Sequence, residues 1–252
     1  MDYTKYINRA KEAFTKGYNA MEAETRRHNA AIEAIRQNGA ELSPLAMSRK
    51  VDEENTAFTD AINRADDEMT DRVFEIQKSF NQAVADVYAL NGNMIDEADA
   101  KILNSGITIS ATELDALFKK HGKNPTMIRL LADYAAAHKI EDLSQDAKAA
   151  FFLTKEAGKR EKKAFETFVH LSREAVEMIR SGLAFSKAYY SAVDSVSDYA
   201  LQAERDILKV SIYLSDKEKA RIEEIQNDFD ARHNRAMENK MKKSREVIDY
   251  YH

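Results

Sequence analysis

The chain has 252 residues, 44% of them apolar and 32% charged, with 7 Gly, 2 Pro, no Cys, no Trp and a formal charge of −5. Gly and Pro fall far below their usual ~12%, too few for the turns of a many-stranded fold, while the apolar fraction is enough for the core of one or two domains. The missing cysteines exclude disulfides, thiolate zinc sites, iron–sulfur clusters and cysteine nucleophiles.

The acidic excess is local. Residues 44–91 carry ten acidic against five basic side chains, with Asp52, Glu53, Glu54, Asp60, Asp66, Asp67, Glu68 and Asp71 crowded together. Such a run reads as a solvated helix face. It argues against nucleic acid and an anionic membrane as partners, both of which draw on clustered Lys and Arg. No apolar run approaches the ~20 residues that span a bilayer, and Met1–Lys11 lacks the basic-then-apolar pattern of a signal peptide, so a cytoplasmic location is expected.

From Ile7 onward, Ile7, Phe14, Met21 and Ile35 lie on one seven-residue row, with Ala10, Tyr18 and Ile32 beside it. This spacing predicts a helix ending near Asn38-Gly39. His28 interrupts the apolar row, and a lone polar residue in such a seam more often fixes register than binds a ligand. Ser43-Pro44 has the cap-then-proline form of a helix start. A second stripe then runs through Phe58, Ile62, Ala65, Met69, Val73, Ile76, Phe80, Ala83, Val87 and Leu90. A helix from about Leu45 to Leu90 would be on the order of 70 Å long and needs a partner helix along its length.

Residues 92–140 change character. Asp96–Asn104 reads as a short helix closed by Ser105-Gly106, Ser110 to Glu113 has capping-box spacing, and Asn124-Pro125 opens a third short helix through Met127, Leu130, Leu131 and Tyr134. Ile102, Leu103, Ile107, Ile109, Leu114, Leu117 and Phe118 are dense enough for a small core of their own. After the N-cap at Ser144 the long pattern returns, from Phe165 and Val169 to Ile207, Val210 and Leu214, passing through Gly182, which marks either a bend or a break. Ser215 to Glu218 repeats the capping box and opens a last helix with Ile222, Ile225 and Phe229 inward. The expected organisation is a long helical hairpin at 1–91, a compact short-helix module at 92–140, and a second hairpin at 141–252 packed on the first.

Chemical motifs are sparse. Neither a GxGxxG nor a GxxxxGK[ST] pattern occurs, and no Glu-x-x-His pair offers the di-iron design of helical bundles. Glu24/His28, Glu166/His170 and Asp230/His233 each place two potential ligands on one helix face, which is commonplace for surface pairs. No nucleophile elbow is present, and Asp66-Asp67-Glu68 are neighbours in a charge run rather than carboxylates opposed across a cleft. No catalytic, metal or cofactor residue is therefore assigned. Lys159, Arg160, Lys162 and Lys163 read as a solvated helix turn, lacking interleaved aromatics for base stacking. Lys240, Lys242, Lys243 and Arg245 coincide with a fading apolar stripe and are a candidate contact surface, with Tyr250-Tyr251 as a weak anchor. Leu114, Phe118, Met127 and Arg129 are the corresponding candidates in the short-helix module.

The stretch Lys101-Ile-Leu-Asn-Ser-Gly-Ile107, through Glu113-Leu-Asp-Ala-Leu-Phe-Lys-Lys-His-Gly122, to Asn124-Pro-Thr-Met-Ile-Arg-Leu-Leu-Ala-Asp-Tyr134 resembles segments of uncharacterised helical proteins of phages and prophages of Gram-positive bacteria. The resemblance covers about a seventh of the chain. It implies a phage setting, in host cytoplasm or virion, with a role in virion assembly, replication support or host takeover; it transfers no functional residues. The expectation is an all-α, coiled-coil-like bundle of long antiparallel helices with a short-helix insert. It would serve as a non-enzymatic, scaffold-like assembly protein that contacts other proteins or itself. The alternatives are an adaptor or inhibitor docking a host protein through 92–140, and an elongated membrane-bending module, which the acidic 44–91 stretch disfavours.

Overall fold

The computed structural model describes residues 3–156, 158–180, 187–210, 219–232 and 234. The fold is all-α, with no strand among the described residues. Helix α1 spans Thr4–Gln37, α2 Pro44–Tyr88, α3 Glu97–Leu103, α4 Ala111–Lys120, α5 Pro125–Ala137, α6 Gln145–Glu156, α7 Lys159–Arg180 and α8 Lys187–Val210; residues 219–232 are also helical. None of the described helices is long and apolar enough to cross a membrane.

Local chemistry sets most of these boundaries. After α1 the chain passes through a 3₁₀ turn at Asn38–Glu41, and Ser43 Oγ accepts from the Ala46 backbone N–H at 3.3 Å where α2 begins at Pro44. Asp96 caps α3, Asn124 caps α5, and Ser110 and Glu113 form the complete capping box of α4. One boundary departs from the sequence reading. The long helix expected after Ser144 is broken between α6 and α7, where Gly158 adopts φ +76° in the left-handed region that only glycine takes without strain. Gly182, the Ser215–Glu218 box, Leu214 and the tail from Lys240 to Tyr251 lie outside the described residues.

The chain divides into two compact units, Met1–Val87 with Lys162–Glu204, and Tyr88–Glu161 with Arg205–His252. In the first, the predicted α1 row meets α2 and α7 in an aromatic core. Phe80 stacks on Phe165 at 4.4 Å, receives the edge of Tyr6 at 5.8 Å and lies 5.7 Å from Tyr3, and Phe168 meets both Phe165 and Phe14 edge-on. Tyr18, fully buried, donates its hydroxyl to the Ser172 carbonyl of α7 at 2.9 Å, and Thr4 donates to Glu204 of α8 at 3.1 Å.

Burial on α1 ends at Met21 and on α2 begins at Asp66. Between them, residues 22–65 form a two-helix arm whose seam of Ile32, Ile35, Met47, Val51, Phe58 and Ile62 is only half-buried. Two helices alone cover each apolar side chain from one direction, which is why none of these six is fully enclosed. His28 sits in this seam. It stacks on Phe58 at 4.3 Å and places Nδ1 3.3 Å from Glu54, which also takes Arg27 at 3.1 Å. The polar interruption of the α1 row is thus a cross-helix tie to α2.

In the second unit, Ile109, Leu114, Phe118, Ile128, Leu131, Tyr134, Ala135 and Ala147 make one small core. Its last member lies on α6, so the short helices α4 and α5 are closed over by a helix beyond residue 140. Ser144, at the entry to α6, is held by the Asp115 carboxylate of α4 at 2.9 to 3.1 Å.

Candidate functional site

A dense polar constellation lies where the start of α3 meets the end of α4. Asp96 accepts from the backbone N–H groups of Ala98 and Asp99, each at 3.1 Å. Asp99 lies in the first turn of α3 and Lys120 in the last turn of α4, each charge complementing the partial charge of its helix end. Lys120 Nζ donates to Asp99 Oδ2 at 2.7 Å and to Asp96 Oδ2 at 3.1 Å, and Nε2 of His121 lies 2.6 Å from that same Asp99 oxygen. Asp99 and His121 are both buried.

The Lys120 ammonium, and after it His121, hold the Asp99 carboxyl below the usual carboxylate range. Asp96 is lowered first by the Asp99 backbone N–H and then by Lys120, while Lys120 is raised by Asp99 and then by Asp96. Asp96, Asp99 and His121 offer ligand atoms within 4.8 Å of one another, a donor set of the right chemistry for a divalent cation. The position between the carboxylates is taken by the Lys120 ammonium, which compensates their charge. The arrangement therefore acts as an electrostatic rivet of α3 to α4.

The residues singled out in the sequence fall elsewhere. Leu114, Phe118 and Met127 are core residues, buried at 0%, 5% and 0% exposure, so their side chains hold the module together and are closed to a partner. Arg129 is exposed. The apolar surface of the module is made instead by Ile102 and Ile107, 45% and 63% exposed, with Met94 and Ile95 less so. Lys240, Lys242, Lys243 and Arg245 lie outside the described residues. His28 pairs with Glu54 rather than Glu24, and exposed His170 with Glu174 at 3.3 Å rather than Glu166; His233 is outside the described residues. The Asp96–Asp99–His121 grouping was missed because its members are brought together by tertiary packing. The only signal in the sequence is the acidic start of α3 and the basic end of α4.

A second feature lies in the first unit. Along one side of the α1–α2 pair runs a groove of about 830 Å³, floored by Ala13, Gly17, Ala20, Ala61 and Ala65. Its rim carries Arg9 and Lys16 on α1 and Arg64, Glu68, Asp71, Arg72 and Glu75 on α2, all exposed. The side chain of none of these seven takes part in an ion pair or hydrogen bond among the described residues, unlike that of Glu24 on the same rim, which pairs with Arg27 at 2.8 Å. Small side chains on the floor let another backbone approach closely, and both signs of charge stand beside it.

Compared with protein-family models, curated proteins and solved structures, the chain matches none.

Proposed function

We propose that this chain is a non-enzymatic assembly protein working through its long helix faces, including contacts between copies of itself. The observation that carries the reading is the α1–α2 face, a groove floored by small residues and rimmed by seven charges whose side chains have no partner among the described residues. Helix-in-groove recognition needs these two things, close approach along the floor and polar contacts along the edge. The half-buried seam of the 22–65 arm supports it, since a two-helix arm gains burial from any helix laid against it. The phage setting rests on the resemblance of residues 101–134 alone.

Light scattering on the purified chain across micromolar concentrations tests the reading. The mass should rise above the 28.6 kDa of one chain; a strict monomer throughout would overturn it. A second reading, an adaptor docking a host protein through the short-helix module, is favoured by exposed Ile102 and Ile107. Under that reading, Ile102→Glu with Ile107→Glu abolishes target binding and leaves self-association unchanged.

A further inference from the structure

The α1–α2 pair is antiparallel, and two contacts fix its register. Gly17 is so close to Met69 that a Cβ there would lie 2.5 Å from its sulfur, and His28 stacks on Phe58. Each step up α1 is therefore a step down α2. Arg9 stands near the level of Glu75, Lys16 between the levels of Glu68 and Asp71, and Glu24 near that of Arg64. Along the groove α1 thus carries positive, positive, negative, and α2 carries the opposite sign at each of those levels. Arg72 is the exception, standing near the level of Lys16.

The geometry points to a second copy of this chain as the occupant of the groove, its own α1–α2 face laid on this one about a two-fold axis parallel to the helices. This rests on the assembly reading above and names its partner. Such an axis preserves level and sets α1 of each copy antiparallel to α2 of the other. Arg9 then faces Glu75, Lys16 faces Glu68 and Asp71, and Glu24 faces Arg64, each pair occurring twice by symmetry, with Arg72 against Lys16 as the like-charge contact that they outweigh. A two-fold axis across the helices would instead reverse the levels and bring Arg64 near Arg72. A uniformly acidic helix would meet Glu68, Asp71 and Glu75, and a uniformly basic one Arg9, Lys16, Arg64 and Arg72. The face is complementary to itself rather than to a partner of single sign.

Charge reversal in the full chain tests this. One variant carries Arg9→Glu with Lys16→Glu, the other Glu68→Lys, Asp71→Lys and Glu75→Lys. These side chains are exposed and without a partner among the described residues, so melting curves should stay close to the parent. By sedimentation at low salt each variant alone should bind itself about tenfold or more weaker than the parent. An equimolar mixture should recover the parent's dimer, because each reversed helix then meets one of opposite sign, and combining both sets in one chain should recover it too. Unchanged association of either variant, or a mixture no tighter than its components, overturns the two-fold groove contact while leaving the assembly reading intact. A parent chain that is monomeric throughout overturns both.

Discussion

Tyr18 shows how much one side chain can contribute to this bundle. Its ring is fully enclosed and its hydroxyl reaches the Ser172 carbonyl, tying α1 to α7. Burial, with a smaller contribution from Tyr199, raises its pKa well above the usual phenol value, so the hydroxyl stays protonated and donating through moderately alkaline pH. Tyr18→Phe keeps the packing and removes this bond, leaving the Ser172 carbonyl with its partner inside α7, and should cost about 1 kcal/mol in denaturant melts. The Asp99 network answers to pH instead. Asp96 and Asp99 have folded pKa values below their unfolded ones, so their stabilisation is complete above roughly pH 4 and is lost as pH falls through the folded values. Lys120 is raised, so its share is present below roughly pH 10.4 and is lost as pH climbs past that. Thermal melts between pH 2 and 7 should show an acid limb that flattens in Asp99→Asn; an unchanged limb would remove this network from the account.

At the scale of the helix, caps and close approaches carry the testable energies. The α4 capping box has Ser110 Oγ accepting from Glu113 N–H at 3.3 Å and the Glu113 carboxylate accepting from Ser110 N–H at 2.9 Å. Ser110→Ala should therefore cost about 1 kcal/mol. Gly17→Ala pushes a methyl into Met69, with Sδ at 2.5 Å and its Cβ at 2.9 Å, and should destabilise by roughly 1–3 kcal/mol through overpacking. These were features the sequence could show, at least in part. Ser43-Pro44, Ser110 to Glu113 and Asn124-Pro125 are local signals acting within one helical turn, and each appears where the spacing places it. The rows Ile7 to Met21 and Met69 to Phe80 likewise name most of what α1 and α2 contribute to the first unit's core. What stayed hidden depends on distant packing. Leu114 and Phe118 look alike in sequence whether they face a partner or a private core, and only the arrival of α5 and α6 decides. Gly158 and Gly182 look equally isolated, yet the φ of Gly158 shows a helix end there. His121 meets Asp99 across 22 residues, too far for periodicity to report.

For the molecule as a whole, the charges along the α1–α2 face whose side chains have no partner among the described residues direct attention to association. If copies pair through folded surfaces, mass action links stability to concentration. The melting temperature should climb as the protein is concentrated from low to high micromolar, and climb less at 1 M salt, where the screening length shrinks to about 3 Å. A melting temperature indifferent to concentration would speak against any such coupling. The tie between His28 and α2 bears on how faithfully the α1–α2 face is presented. An antiparallel hairpin with a heptad seam can slide while keeping grease on grease only in jumps of seven residues. One jump either way would set the imidazole against Val51 or Ala65, neither able to stack as Phe58 does, and would strand Glu54 from Arg27 and His28. The hairpin is therefore indexed to a single alignment, and the ladder of charges along its flank keeps one fixed spacing.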